Sequence, residues 1–182
     1  MKKYALIGGP CSGKTSVLEE ARKKGLPILT EVAREVIGDW GYFPTEIGEI
    51  ETIQQEIFFS QICKERELGE SEGFVLLDRG VIDAVAYCNH FLGRVPYNYL
   101  KYNLGSRYEK VFLLERAPFQ KDGLRIEGSD EVAKIIHERI VETYEKYGYK
   151  LINIPLVDDF SRAPKERLDK ILNEIENGKA KT

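Results

Sequence analysis

No stretch of this 182-residue chain is apolar for long enough to cross a membrane. After the N-terminal lysines only Tyr4 to Ile7 is apolar before glycine and proline intervene. That is too short for the core of a secretory signal, so a cytoplasmic location is expected. Cysteine is scarce: Cys11, Cys63 and Cys88 form no CxxC pair, and an odd, scattered set reads as reduced thiols rather than a disulfide framework. His90 and His137 lie far apart without cysteine partners at metal-ligand spacing, which argues against a histidine-based metal centre. His137 reads as one position of an ordinary amphipathic helix. Positive charge is not in excess either. With 27 basic and 30 acidic residues the formal charge is −3, so no broad basic field invites nucleic acid, although a local patch stays open. There is no internal repeat and no low-complexity tract. What remains is the composition of a globular domain, 42% hydrophobic and 31% charged, able to build a core without metal or disulfide staples.

Short apolar runs alternate with helical patterns. Tyr4 to Ile7 ends in Gly8-Gly9-Pro10 and reads as a buried strand. Lys14 to Lys24 is helical in pattern, and Gly25 ends it. Pro27 to Leu29 is a second short strand, followed by a helix over Glu31 to Trp40 that Thr30 is placed to cap. Beyond a break at Gly38 to Pro44, Ile47, Ile50, Ile53, Ile57 and Ile62 fall near one face of a helix from about Thr45 to Leu68. Phe74 to Leu77 and Val111 to Leu114 are fully apolar runs of the kind that fill a parallel sheet, and Leu151 to Ile154 is a weaker fifth strand. Further helices are expected over Glu131 to Tyr147 and from Pro164 to about Ile175. The fold class is therefore α/β, a five-stranded parallel sheet with helices on both faces. A single domain over residues 1–177 is expected. Pro118 to Ser129 reads as a loop or flap, Arg94 to Gly105 as a short helical insertion shaping a pocket wall, and Gly178 to Thr182 as a flexible tail.

The sharpest signal is Gly8-Gly9-Pro10-Cys11-Ser12-Gly13-Lys14-Thr15, a full match to GxxxxGK(S/T) between a strand and a helix. Glycines at 8 and 13 let the backbone turn so that consecutive N–H groups face phosphate oxygens, and the helix opening at Lys14, Thr15 and Ser16 completes the cradle. Lys14 is expected at the β- and γ-phosphates of ATP or GTP, and the Thr15 hydroxyl on Mg2+. Asp78 ends an apolar strand, where a parallel sheet binds ligands, and is the second expected Mg2+ holder.

The residues that would meet a phosphoryl acceptor are less sharply marked. Arg79 and, four residues on, Asp83 follow the strand-ending acid. Arg79 can fork onto a phosphate or an acceptor oxygen, and Asp83 can fix Arg79 or a substrate hydroxyl. Glu31 and Arg34 share a helix face after the second strand: Glu31 is the candidate base, and Arg34 an anion ligand. Gln54 is a candidate reader of a base or sugar edge. Arg116 and Arg125 flank or occupy the flap, where a lid would exclude water and bring charge over the γ-phosphate. Tyr97, Tyr99 and Tyr102 suit an acceptor base, the core or a dimer face.

This arrangement resembles the P-loop kinase-like family often labelled an AAA-type ATPase domain, and is similar to the ribosylnicotinamide kinase domain of the NAD-salvage regulator. The segments that carry the resemblance are GGPCSGKTS from Gly8, TEVAREVI from Thr30, QQEIFFSQI from Gln54, LLDRGVIDAVAY from Leu76, VFLLERAPFQKDGLRIE from Val111 and ETYEKYGYKLINIP from Glu142. More distantly the chain is similar to thymidylate and deoxynucleoside kinases. The resemblance implies a P-loop NTPase fold, nucleoside/nucleotide kinase-like with a small lid at about 116–129, and ATP with Mg2+ on Lys14, Thr15 and Asp78. From the deoxynucleoside kinases it carries a base role to Glu31, an arginine role to Arg79 and lid roles to Arg116 and Arg125. Asp78-Arg79-Gly80 departs from that pattern, since a serine usually follows the acid–arginine pair.

The function expected is ATP- and Mg2+-dependent phosphoryl transfer to a small-molecule hydroxyl, on a nucleoside or riboside first and a nucleoside monophosphate second. An NTP hydrolase and a nucleotide-gated interaction protein are the alternatives. The protein is expected to be a monomer or homodimer with no membrane partner.

Overall fold

A computed structural model of the chain describes residues 1–69, 72–117 and 129–179. Its centre is one sheet of β1 (Lys2–Ile7), β2 (Ile28–Leu29), β3 (Phe74–Asp78), β4 (Lys110–Leu114) and β5 (Leu151–Ile154), every pairing parallel, in the order β2-β3-β1-β4-β5. Around it lie α1 (Lys14–Lys23), α2 (Val32–Trp40), α3 (Ile47–Glu67), α4 (Val81–Leu92), α5 (Asp130–Lys146) and α6 (Ala163–Lys179).

The unbroken apolar strands follow from two cores. Successive side chains of a strand leave opposite faces of the sheet. Ala5 and Ile7 of β1, with Val75 and Leu77 of β3, join a cluster built on α2, α3, α4 and α5. Tyr4 and Leu6, with Leu76, Phe112 and Leu114, join another built on α1 and α6. Both faces are buried along the middle of these strands, so their central positions are apolar; each fully buried Leu or Ile contributes about 1.5–3 kcal/mol.

Sheet order positions the site. From β1 the chain runs through α1 to β2 and β3 on one side, then crosses β1 to reach β4 and β5 on the other. The crossovers part at β1, opening a crevice at the carboxyl ends of β1, β3 and β4.

Several local expectations need correction. Glu31, not Thr30, is the N-cap position of α2 and makes no side-chain cap bond; the Thr30 hydroxyl donates to Glu35 instead. Ile47 opens α3 but is 68% exposed, because the apolar face begins to meet the core only deeper in the helix, with Ile53, Ile57 and Ile62 buried. Residues 94–105 do contain a short 3-10 helix, Tyr97–Lys101, but it is held to the core rather than to a pocket. Tyr99 is fully buried, stacked on Phe58 at 3.7 Å, and donates its hydroxyl proton to the Gln54 carbonyl, whereas Tyr97 is exposed. α6 also continues past Ile175 into the expected tail; residues 180–182 lie outside the described residues.

Candidate active site

β1 ends at Ile7 and the chain turns at Gly8, whose φ of 137° is a glycine conformation. A Cβ there would lie 2.7 Å from the Leu114 carbonyl, so the loop runs too close to β4 for any side chain. Gly13 is left-handed at φ 76° and opens α1, with no side-chain cap on the helix donors and no acid in the first turn. Those donors are what an anion would use. Lys14 folds back into the loop: its Nζ donates to the Gly8 carbonyl at 2.8 Å, the Gly9 carbonyl at 3.2 Å and Ser12 Oγ at 2.9 Å. Burial, with the nearby Arg79 charge, brings this ammonium down to about 8.

Asp78 reaches the loop because β3 pairs with β1 in the register Leu6 to Asp78, and the Arg79 N–H donates to the Leu6 carbonyl. The Thr15 hydroxyl donates to Asp78 Oδ2 at 3.1 Å, while the buried Oδ1 has no hydrogen-bond partner among the described residues. Burial pushes the Asp78 carboxyl up, offset in part by Lys14. A divalent cation would supply both a partner for Oδ1 and a reason for the carboxylate to be ionised, so the residues present fit Mg2+.

The second half of the site is one charged chain. Arg79, left-handed at φ 72°, donates from Nε to Glu31 Oε1 at 2.7 Å and from Nη1 to Asp83 Oδ1 at 3.5 Å, with its guanidinium 5.2 Å from the Tyr87 ring. Glu31 Oε2 accepts from Arg34 Nε at 2.8 Å. Burial alone would raise Glu31, but Arg79, Lys14 and Arg34 together hold it at about 2. Asp83 is a structural cap as well: its Oδ2 accepts from the Gly80 N–H at 2.9 Å and the Tyr144 hydroxyl at 2.7 Å, closing the start of α4.

These groups border a cleft with mainly apolar walls, among them Val32, Ile37, Phe43, Ile57 and Tyr87. Glu31, Arg34, Arg79 and Asp83 line it, and Gln54 enters from α3. Gln54 is 2% exposed and its Oε1 has no hydrogen-bond partner among the described residues. Arg116 lies against the loop, donating from Nε to the Pro10 carbonyl at 3.1 Å and from Nη2 to Asp130 at 2.6 Å. Arg125 and most of the expected lid lie outside the described residues.

Four side chains that sequence patterns did not single out also shape the site. Arg167 of α6, 3% exposed, donates to the carbonyls of Ser12, Glu115 and Ile154. His137 of α5 accepts from the Gly9 N–H at 3.0 Å. Tyr108 and Tyr144 crowd Gly80, where a Cβ would lie 2.4 Å from Tyr108 Oη and 2.8 Å from Tyr144 Oη. Beyond the loop lies a second cleft bordered by Ala117, Leu156, Val157, Phe160 and Pro164. Phe160 is 72% exposed there. None of these side chains carried a sequence signal, because exposure and contacts between distant elements are not visible in a sequence.

Fold and loop together define an α/β protein of the P-loop class. The chain belongs to the AAA domain family, whose model matches residues 3–162. No curated protein matches it. Among solved structures it is similar to deoxyadenosine kinase from M. mycoides with bound dATP, at TM-score 0.64 and 14% identity over 96% of this chain and 99% of that one. It is similar to the NadR protein in complex with NR, at TM-score 0.69 and 17% identity over 97% of this chain and 50% of that one. Shikimate kinase from Aquifex aeolicus follows at TM-score 0.53 and 21% identity, covering 98% of both chains. At these identities the likeness is one of fold: a five-stranded parallel sheet with helices, as in P-loop nucleoside kinases.

Proposed function

We propose that this protein is a kinase that moves the γ-phosphoryl group of ATP or GTP to a hydroxyl of a small uncharged acceptor, a nucleoside or related riboside. The observation that carries the reading is the mostly apolar cleft beside the phosphate loop, with Glu31 and Arg79 at one side and, within it, Gln54 Oε1, which has no hydrogen-bond partner among the described residues. The phosphates would lie on Gly8 to Ser16, and the base in the apolar cleft at Leu156 to Pro164. The residues that would hold Mg2+ are Thr15 and Asp78; the ion neutralises charge on the phosphates.

In the transfer, the acceptor oxygen bonds to the γ-phosphorus as the bond to the β–γ bridging oxygen breaks, and the diphosphate leaves with that electron pair. The hydroxyl proton passes to Glu31 and on to solvent. A carboxylate held at about 2 is a weak base, but its oxygens retain acceptor capacity beside the two arginines. In a loose phosphoryl transition state the proton leaves late, so a weak base still serves if it is well placed. Lys14, Arg79 and the lid arginines Arg116 and Arg125 would stabilise charge on the moving group. Arg34 and Asp83 hold Glu31 and Arg79 in place. Both cleft arginines are paired to Glu31, which offsets their charge, and the cleft walls are mainly apolar. That favours a nucleoside over a nucleoside monophosphate. Gln54 would accept from an amino or amide group on the acceptor ring. Structural neighbours named for deoxyadenosine and shikimate kinases, and one bound to NR, support a small-molecule acceptor.

The test is ADP release and product formation with Mg2+, ATP and a panel of nucleosides, ribosides and nucleoside monophosphates. Acceptor-dependent release with a new phosphorylated nucleoside is expected. Steady phosphate release indifferent to acceptor would make the protein a hydrolase, and tight binding with neither outcome a nucleotide-gated interaction protein. Glu31→Gln should lower transfer about 10²–10⁴-fold while leaving ATP binding largely intact; survival within about tenfold removes Glu31 as base.

A further inference from the structure

α5 presses on the phosphate loop more closely than any side chain at position 9 would permit. A Cβ on Gly9 would lie 2.7 Å from His137 Cβ and 3.1 Å from the Ala133 carbonyl. Across this contact the Gly9 N–H donates to His137 Nδ1 at 3.0 Å. The rest of the loop is tied to the chain nearby: Pro10 O to Arg116, Cys11 O to the Ala117 N–H, and Ser12 O to Arg167. Three of those four ties use permanent donors. The tie at Gly9 is different, because it needs an imidazole nitrogen with a free lone pair.

We propose that His137 is a positioning residue of the phosphate loop, holding Gly9 through its neutral imidazole, so that nucleotide affinity falls when the ring takes up a proton. An imidazolium has an N–H on both nitrogens, so Nδ1 would face the Gly9 N–H donor to donor and the contact would open. The charged groups around the ring favour the neutral form. Burial lowers its proton affinity first, then Arg116 from the segment after β4 and Lys14 from the loop; Glu138 on the same helix opposes them. The inference rests on the nucleotide reading of the loop and is independent of the acceptor.

The experiment is Mg2+–ADP binding to the full chain by calorimetry between pH 8 and pH 5.5, for wild type, His137→Asn and His137→Phe. Asn offers a side-chain acceptor that does not titrate, and Phe offers none. Protonation of the nucleotide's own phosphate falls equally on all three proteins and cancels in their ratios. Wild type is expected to lose about threefold to tenfold more affinity than His137→Asn on acidification, the scale of one hydrogen bond. At pH 8, His137→Asn should bind more tightly than His137→Phe. Parallel pH profiles for wild type and His137→Asn would overturn the proposal. So would a wild-type affinity that rises relative to His137→Asn at low pH, because the imidazolium would then be acting as a phosphate ligand. If His137→Phe does not fold, the wild type to Asn comparison still decides. Lys14→Ala is the control for the loop itself: undiminished binding there would bring down the loop reading first, and this inference with it.

Discussion

Arg79 adopts a left-handed backbone that costs a non-glycine residue about 1–2 kcal/mol, and it does so with its guanidinium spanning Glu31 and Asp83. Its neighbour explains how the turn is kept. Gly80 leaves room for the hydroxyls of Tyr108 and Tyr144, and these in turn meet the Val81 N–H and the Asp83 carboxylate. A serine, usual after the acid–arginine pair in the deoxynucleoside kinases the sequence resembles, would collide with both rings. Tyr108 is not free to yield, since its hydroxyl also donates to the buried Glu65 at 2.7 Å, and Glu65 is paired with Arg107 at 2.8 Å. Gly80→Ala is therefore expected to lower the unfolding free energy by about 1–3 kcal/mol, read from a urea midpoint. An unchanged midpoint would mean that the two rings move aside freely. The pattern Asp78-Arg79-Gly80 was visible as a departure; its cause was not, because Tyr108 and Tyr144 stand far along the chain.

Among the elements, α5 does the most to join separate parts of the site. It opens under Ser129, whose Oγ accepts from the Val132 N–H at 3.3 Å, with Asp130 and Glu131 in the first turn where the helix dipole favours them. Along its length His137 meets the phosphate loop and Tyr144 meets Asp83, while Ala133, Ile136 and Ile140 fill the core between. Ser129→Ala should cost about 1 kcal/mol in a denaturant titration, the usual value of an N-cap. A loss near zero would mean that packing alone sets where the helix starts. The helix itself was readable from its 3.6-residue period. That period says which residues share a face and nothing about what the face will touch, so His137 passed for an ordinary helix position. α2 misled differently: Thr30 has a good capping side chain, but Glu35 offers it a partner and the chain enters the helix one residue later.

For the whole molecule, a ligand that binds only the folded chain adds its binding energy to stability. Mg2+–ATP at 100 times its Kd should add about 2.7 kcal/mol, and with about 2–4 °C per kcal/mol at this chain length that is a rise in Tm of roughly 5–10 °C. Lys14→Ala should remove most of that rise while leaving the unliganded chain folded, since Lys14 contacts the loop rather than either core. Differential scanning calorimetry decides, and an equal shift in the variant would separate nucleotide binding from the loop. Taken alone, the sequence determined the α/β class, the strand-like apolar runs, the Gly8 to Thr15 loop and the pairing of that loop with Asp78. Those features are local: a period, a turn, a spacing of glycines, or a polar residue at the end of an apolar run. Only the tertiary structure decided that Arg79 and Arg34 share Glu31, that Gln54 is buried in the cleft, and that His137 and Arg167 hold the loop. Each of these depends on which helices cross at the carboxyl end of the sheet, and chain periodicity carries no information about a contact made between elements that are distant in sequence.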